Sequence, residues 1–257
     1  MAGLQKAVDE AIPGALIHLR EGRYMASAYR DVPFQDLVVR GALVIEGKEL
    51  SLIGEPGAVL AGSEDYPVSA IVINDSTVKI SGLGISDFTY LEPEDDIYDG
   101  HGIFTIASNV ELDSVRIAGV DKMAVTGRET GHVTARNLTI AQSHLGVWLE
   151  ETAHLNLTES LITGSESAAI AAYMEATVQV SGSLIEGNQD DGLYTEDNAY
   201  IRSADTDIVS NSPYGARAAG HSQILLCGGE MTGNDADTGE EDAGRVLLGD
   251  AQACSGR

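Results

Sequence analysis

The sequence predicts an all-β solenoid, built of short strands stacked coil on coil and closed at its start by one helix. A period of 22–23 residues is the first observation. Six segments align without gaps: VELDSVRI, VTARNLTI, LNLTESLI, VQVSGSLI, IRSADTDI and ILLCGGEM. Their last apolar residues are Ile117, Ile140, Ile162, Ile185, Ile208 and Met231, and their first are Val110, Val133, Leu155, Val178, Ile201 and Ile224. A third column runs Leu112, Ala135, Leu157, Val180, Ser203 and Leu226, and VKISGLGI upstream fits the same template. The second observation is another strand that opens each coil, at Gly102, Ala124, Gly146, Ala169, Gly192 and Gly215, each followed by an apolar residue. Alternation of apolar and polar residues with β-branched enrichment argues for strands. The third is Asn188, Asn211 and Asn234, which fall at one turn as a ladder; Asn tolerates the left-handed conformation of sharp turns, and stacked amides bond to each other.

A single coil cannot bury its apolar edge, whereas stacking in register buries a continuous column. Leucine-rich repeats share the period, but their regular Leu/Asn signature is missing here. Roughly nine coils at about 4.8 Å each give a rod near 43 Å long. At the N-terminus Leu4, Ala7, Val8, Ala11 and Ile12 recur at helical spacing and Pro13-Gly14 stops the run, which predicts an amphipathic cap over the open end of the column. One domain therefore spans 1–257, with the cap at 1–14, coils at 15–234 and a C-terminal cap or tail at 235–257.

Composition narrows the function. Hydrophobic residues make up 43% and aromatics 5%, so aliphatic side chains fill the core. The formal net charge of −25 disfavours nucleic acid and anionic membrane as partners. No run is long and apolar enough to insert in a membrane. Cys227 and Cys254 form either a disulfide pinning the tail or two free thiols. No Cys/His cluster has zinc spacing, and no nucleophile elbow occurs.

The cap helix, PGALIHLREGRY, LSLIGEPGAVLAG and the coils beginning with Gly-Ile and ending in Gly-Asn resemble right-handed parallel β-helix proteins. These include the pectate-lyase-like folds and the carbohydrate-binding and sugar-hydrolase repeat group. The resemblance covers nearly the whole chain and implies a single-stranded right-handed parallel β-helix. Its members include polysaccharide lyases, hydrolases, uronate epimerases and proteins without catalysis, so the site must choose among them.

One face differs from the others. Alternate residues of the strand opening each coil point outward. One outward column reads Phe104, Thr126, Trp148, Ala171, Tyr194, Arg217, and its neighbour Ile106, Arg128, Glu150, Tyr173, Glu196, Ala219. Phe104, Trp148, Glu150, Tyr173, Tyr194, Glu196 and Arg217 are therefore the expected substrate-binding residues, because a sugar's C–H face packs on aromatic rings while flanking charges bind hydroxyls and carboxylates. Seventeen residues separate Ile85 from Gly102, against seven in the equivalent step from Ile117 to Ala124, so a long loop projects beside this face. Asp99 and His101 end that loop, and His144, Lys122 and Arg128 lie near the same edge. A uronate lyase or epimerase needs a base for the proton alpha to a carboxylate, a cation for that carboxylate and an acid. His or Tyr can serve as base and acid and Arg128 or Lys122 as the cation, so His101, His144, Arg128, Lys122 and Asp99 are the candidate catalytic residues. The Asp-x-His spacing is similar to the Asp-Pro-His core of mannuronan epimerases, with Gly100 in place of the proline. A hydrolase would use paired carboxylates, available as Asp190, Asp191, Glu150 and Glu196.

The expected function is thus action on an acidic, uronate-containing polysaccharide, by elimination or epimerisation rather than hydrolysis. The rival is a non-catalytic carbohydrate-binding or structural surface module. No cofactor is required by this chemistry; Ca²⁺ would find oxygen ligands at Asp95, Asp96, Asp190 and Asp191. The expected state is a monomer, extracellular or periplasmic, with polysaccharide as its partner.

Overall fold

The computed structural model describes residues 1–91, 97–249 and 254. Ten strands form one continuous parallel sheet, from Ala15–Leu19 through Asn109–Asp113 to Arg245–Leu248. Its register follows the period read from the sequence: Val110 pairs Val133, then Leu155, Val178, Ile201 and Ile224 in succession. The strands that open and close each coil make two more faces. Ile103, Val125, Val147, Ile170, Leu193 and Ala216 pair coil to coil on the opening face. Ile85, Ile117, Ile140, Ile162, Ile185, Ile208 and Met231 do so on the closing face. Three inward apolar columns meet in one core, and the side chains of Leu43 to Ile224 along it are almost wholly buried. The fold is mostly parallel β, with a single helix at Ala2–Glu10 among the described residues.

Corners are made by left-handed residues stacked in columns. Asp75, Ala107, Glu129, Glu151, Met174 and Asp197 occupy one corner with φ between 44° and 60°. Only the continuous hydrogen bonding of neighbouring coils holds so many non-glycine residues there. The Asn ladder exists, but its left-handed member is the preceding residue, Gly187, Ser210 or Gly233. The asparagines act through their amides. Asn188 Nδ2 donates to Asn211 Oδ1 at 2.7 Å, and Asn211 Nδ2 to Asn234 Oδ1 at 3.3 Å, with Asn188 and Asn211 buried.

The cap helix is shorter than expected. It buries Leu4 and Val8, but Ala7 faces outward and Ile12, beyond the helix end, is 74% exposed. Gln5 adds what the apolar pattern could not show. Its buried amide accepts from Val44 N–H at 2.8 Å and donates to Val44 C=O at 2.9 Å, replacing the missing strand at that edge. At the other end the coils run past 234. Ala236–Glu240 pairs with Tyr214–Ala218, and Arg245–Leu248 with Gln223–Cys227, so polar sequence there hides another coil. Cys227 and Cys254 are joined as a disulfide, which fastens residue 254 to this last part of the sheet.

One element departs from the solenoid. Arg30–Phe34 turns back antiparallel against Leu37–Gly41. This hairpin lies over the outward side of the opening face and makes a second apolar cluster of Val32, Phe34, Val39, Val44, Val72, Phe104 and Ile106.

Candidate functional site

The two outward columns have the expected register. Phe104 pairs Thr126, then Trp148, Ala171, Tyr194 and Arg217 in turn. Their environments divide the face in two. Phe104 is fully buried beneath the hairpin, with Phe34 edge-on at 5.7 Å. It is a packing residue rather than part of a sugar platform, because burying a second apolar cluster outweighs leaving its ring in water.

One of the two expected acid–base groups, His101, is closed in beside Phe104. His101 is 3% exposed and packs between Tyr98 and Phe104, with its Nδ1 3.2 Å from Ser69 Oγ. Burial holds its pKa down at about 3, helped by the positive charges of Lys122 and Arg128. The ring is neutral and shielded from solvent, so it braces the wall and does not meet substrate. Asp99 is buried beside it. Gly100 between them has φ of 73°, a conformation closed to proline, so this turn differs from an Asp-Pro-His turn. Arg128 is equally committed. It donates to both oxygens of Glu151 at 3.0 and 2.8 Å, lies 3.1 Å from Glu150 and sits over the Phe34 ring. With two carboxylates already paired to it, Arg128 is no neutraliser for a substrate.

Lys122 and His144 do come together. They line an open cleft of about 290 Å³ with Tyr90, Asp121, Gln142 and Glu166. Gly100 packs against this wall: a Cβ on it would meet Tyr90 Cβ at 3.0 Å and Lys122 Cγ at 3.3 Å. Lys122 Nζ lies 3.9 Å from the centre of the Tyr90 ring. His144 is half-exposed, and its Nδ1 is 3.3 Å from Glu166 Oε2, which leaves Nε2 for other work.

Beyond the cleft the face becomes a strip of rings. Trp148 stacks on Tyr173 at 4.3 Å, and Tyr173 meets Tyr194 edge-on at 5.7 Å. Arg217 continues the series, its guanidinium 4.6 Å from the Tyr194 ring centre. Met123 and Leu145 belong to the same apolar patch. They follow Lys122 and His144 directly in the chain, so the strands Arg116–Arg128 and Thr139–Leu149 supply both the cleft and the near end of the strip. Trp148 Nε1 donates to Glu150 at 3.2 Å, and the Tyr194 hydroxyl donates to Glu196 at 2.8 Å. Arg217 Nε donates to Asp191 at 2.6 Å. Burial raises the Asp191 pKa to about 6 against the pull of that guanidinium. Asp191 is already paired with the Arg217 guanidinium, which disfavours a second cation on that carboxylate. Among the described residues no three His, Cys, Asp or Glu side chains are grouped to hold a metal ion. Asp95 and Asp96 lie outside the described residues.

A family model for the right-handed β-helix region matches residues 68–235, more than half of the sequence. The chain belongs to the right-handed β-helix family. Among solved structures, this β-helix is similar to an alginate lyase from Paenibacillus sp. str. FPU-7, with TM-score 0.51 and 13% identity over 96% of this chain and 97% of that one. That likeness is one of fold. The mannuronan C-5 epimerase AlgE4 A-module of Azotobacter vinelandii gives TM-score 0.47 and 11% identity, covering 97% and 94%. The periplasmic alginate epimerase AlgG gives 0.38 and 13%, covering 95% and 87%. No curated protein matches the sequence.

Sequence reasoning missed Tyr90, Asp121 and Glu166 in the cleft of this β-helix. Tyr90 belongs to the long loop, which has no period to place it. Glu166 sits at a corner one coil after His144, and the 22-residue offset was the available signal. The hairpin was missed too, although Val32 and Phe34 alternate before the Gln35-Asp36 turn and Leu37 and Val39 after it.

Proposed function

We propose that this β-helix acts on a uronate-containing polysaccharide that lies along the ring strip and presents its reacting sugar to the Lys122–His144 cleft. The supporting observation is that an imidazole and an ammonium share an open cleft on the same two strands that carry the near end of the aromatic platform. His144 Nε2 removes the proton alpha to the uronate carboxylate, and Glu166 at Nδ1 stabilises the imidazolium that results. Lys122 neutralises the negative charge developing on the carboxylate oxygens. Loss of the oxygen substituent then gives an unsaturated uronate, whereas return of a proton to the opposite face gives the epimer. Tyr90, which lines the same cleft, is the group we assign to supply that proton or protonate the leaving oxygen. The alginate enzymes with a similar fold perform these two outcomes by their names, and the proposal places the protein outside the cytoplasm, where such polymers are found. Among the described residues no helix is long and apolar enough to cross a membrane.

A second reading, a non-catalytic glycan-binding module, is favoured by the pairing of both Arg128 and Arg217 with carboxylates. One experiment separates them. Alginate, pectate, hyaluronan and chondroitin are incubated in D₂O, with ultraviolet absorbance followed for unsaturated uronate and NMR for deuterium at C5. Either signal, lost in His144→Ala and Lys122→Ala, supports the enzyme. Binding that quenches Trp148 with neither signal supports the module.

A further inference from the structure

The two guanidiniums at the strip are paired with carboxylates, whereas the Lys122 ammonium in the cleft rests on the Tyr90 ring. We propose that the ring strip seats uncharged sugars, so that the polymer this protein takes places a uronate at the cleft and neutral residues along the coils beyond it. The proposal rests on the reading that the strip binds glycan, and it names the substrate class.

Three observations carry it. The strip is built from two like pairs two coils apart. Trp148 donates to Glu150, and Tyr194 donates to Glu196, each an aromatic followed two residues later by a carboxylate. Glu150, Tyr173 and Glu196 share one outward column, so the carboxylates are separated by two strand spacings, roughly 9.6 Å between backbones. Each accepts one hydrogen bond from its ring neighbour and keeps lone pairs for more. A carboxylate beside a ring binds sugar hydroxyls, which donate; a uronate carboxylate has no proton to offer at neutral pH.

The cations at the strip are already engaged. Arg217 is held by Asp191 at 2.6 Å and by Glu241 at 3.0 Å. Arg128 is held by Glu150 and Glu151. Adding an anionic sugar there would place a carboxylate among carboxylates without a free counter-charge, which costs affinity.

The field at the centre of the strip has the same sign. Around the Tyr173 hydroxyl, Glu196, Asp190 and Glu150 oppose a new negative charge while Arg217 favours it. With burial as the larger cause, the phenol is pushed up to about 12. The cleft differs: Lys122 and His144 line it, with Asp121 and Glu166 as its acids, and the Lys122 ammonium rests on a ring. One uronate fits the cleft, and a run of uronates does not fit the strip.

Oligosaccharides of equal length test this, with Trp148 fluorescence and calorimetry as readouts at low and high salt. The probes are oligoalginate and oligogalacturonate as all-uronate chains, a neutral cello- or xylo-oligosaccharide, and hyaluronan oligomers as an alternating chain. We expect the alternating chain to bind about tenfold tighter than the all-uronate chains at low salt, a gap that narrows as salt screens the repulsion. Glu196→Gln, at the carboxylate that accepts from Tyr194, is expected to weaken the alternating chain and tighten the all-uronate ones; Glu150→Gln is the second variant, each checked for an unchanged melting temperature. All-uronate chains that bind as tightly as the alternating chain, through Trp148 and unaffected by Glu196→Gln, would overturn the proposal while leaving the strip as a glycan site. No fluorescence change with any probe, and no effect of Trp148→Ala, would overturn both.

Discussion

The indole of Trp148 lies against the ring of Tyr173 on the next coil, 4.3 Å between centres and 28° from parallel. Two coils thus present a single flat apolar surface wider than either ring. Tyr173→Ala removes half of it and leaves Trp148 more solvated. We expect glycan affinity to fall about three- to tenfold and Trp148 emission to shift to the red, with the fold unchanged by circular dichroism. Unchanged affinity would remove Tyr173 from the binding surface.

Arg128 ties the covered and open halves of the face together through Glu150, Glu151 and Phe34. Its guanidinium is 7% exposed, and the two carboxylates are about one-fifth exposed. Arg128→Met leaves those carboxylates facing each other without their cation. Because both keep some water, the loss belongs near the lower end for a buried pair, about 3 kcal/mol in denaturant unfolding. Arg128→Lys restores the charge without the two-pronged geometry and should recover only part of it.

His101 makes stability depend on pH. Its folded pKa of about 3 lies below the ordinary 6.5, so the unfolded chain takes up a proton first as pH falls. The stability it contributes is complete above pH 6.5 and is lost progressively toward pH 3. Asp191, raised to about 6, acts in the opposite direction between pH 6 and 3.8 and is common to any variant of His101. Comparing wild type with His101→Gln therefore isolates the histidine. The wild type should lose about 3 kcal/mol more than the variant between pH 6.5 and about pH 4. Parallel pH profiles would show that the ring becomes protonated inside the fold.

Asn211 sits in the middle of the amide ladder. It accepts from Asn188 and donates to Asn234 Oδ1 and to the Ile185 carbonyl. Asn211→Ala orphans buried groups on both sides, and we expect about 2–3 kcal/mol of destabilisation, with faster amide exchange at the Ser165, Asn188 and Asn211 corner. The same substitution at exposed Asn198 should cost far less.

Most of the architecture was legible because a coil repeats its own contacts. Each apolar residue from Val110 to Ile224 meets the equivalent residue one period away, so a periodic sequence specifies both the element and its partner. The outward columns were legible for the same reason, and Trp148, Tyr173, Tyr194 and Arg217 stand together as their positions implied. The last coil was not, since Ala236–Glu240 pairs through its backbone with little apolar signal.

What lies off the repeat was decided by packing between segments distant in sequence. The hairpin at 30–41 settles the fate of residues 60 to 100 positions later: it buries Phe104 and, with Tyr98, His101, and it gives Arg128 an aromatic floor. Lys122 and His144 escape that cover and meet Tyr90 and Glu166 in an open cleft. Periodicity could align His101, Lys122 and His144 along one edge, but it carries no information on which of them keeps its water. Burial depends on what folds over the face, and the covering segments share no period with the coils they cover.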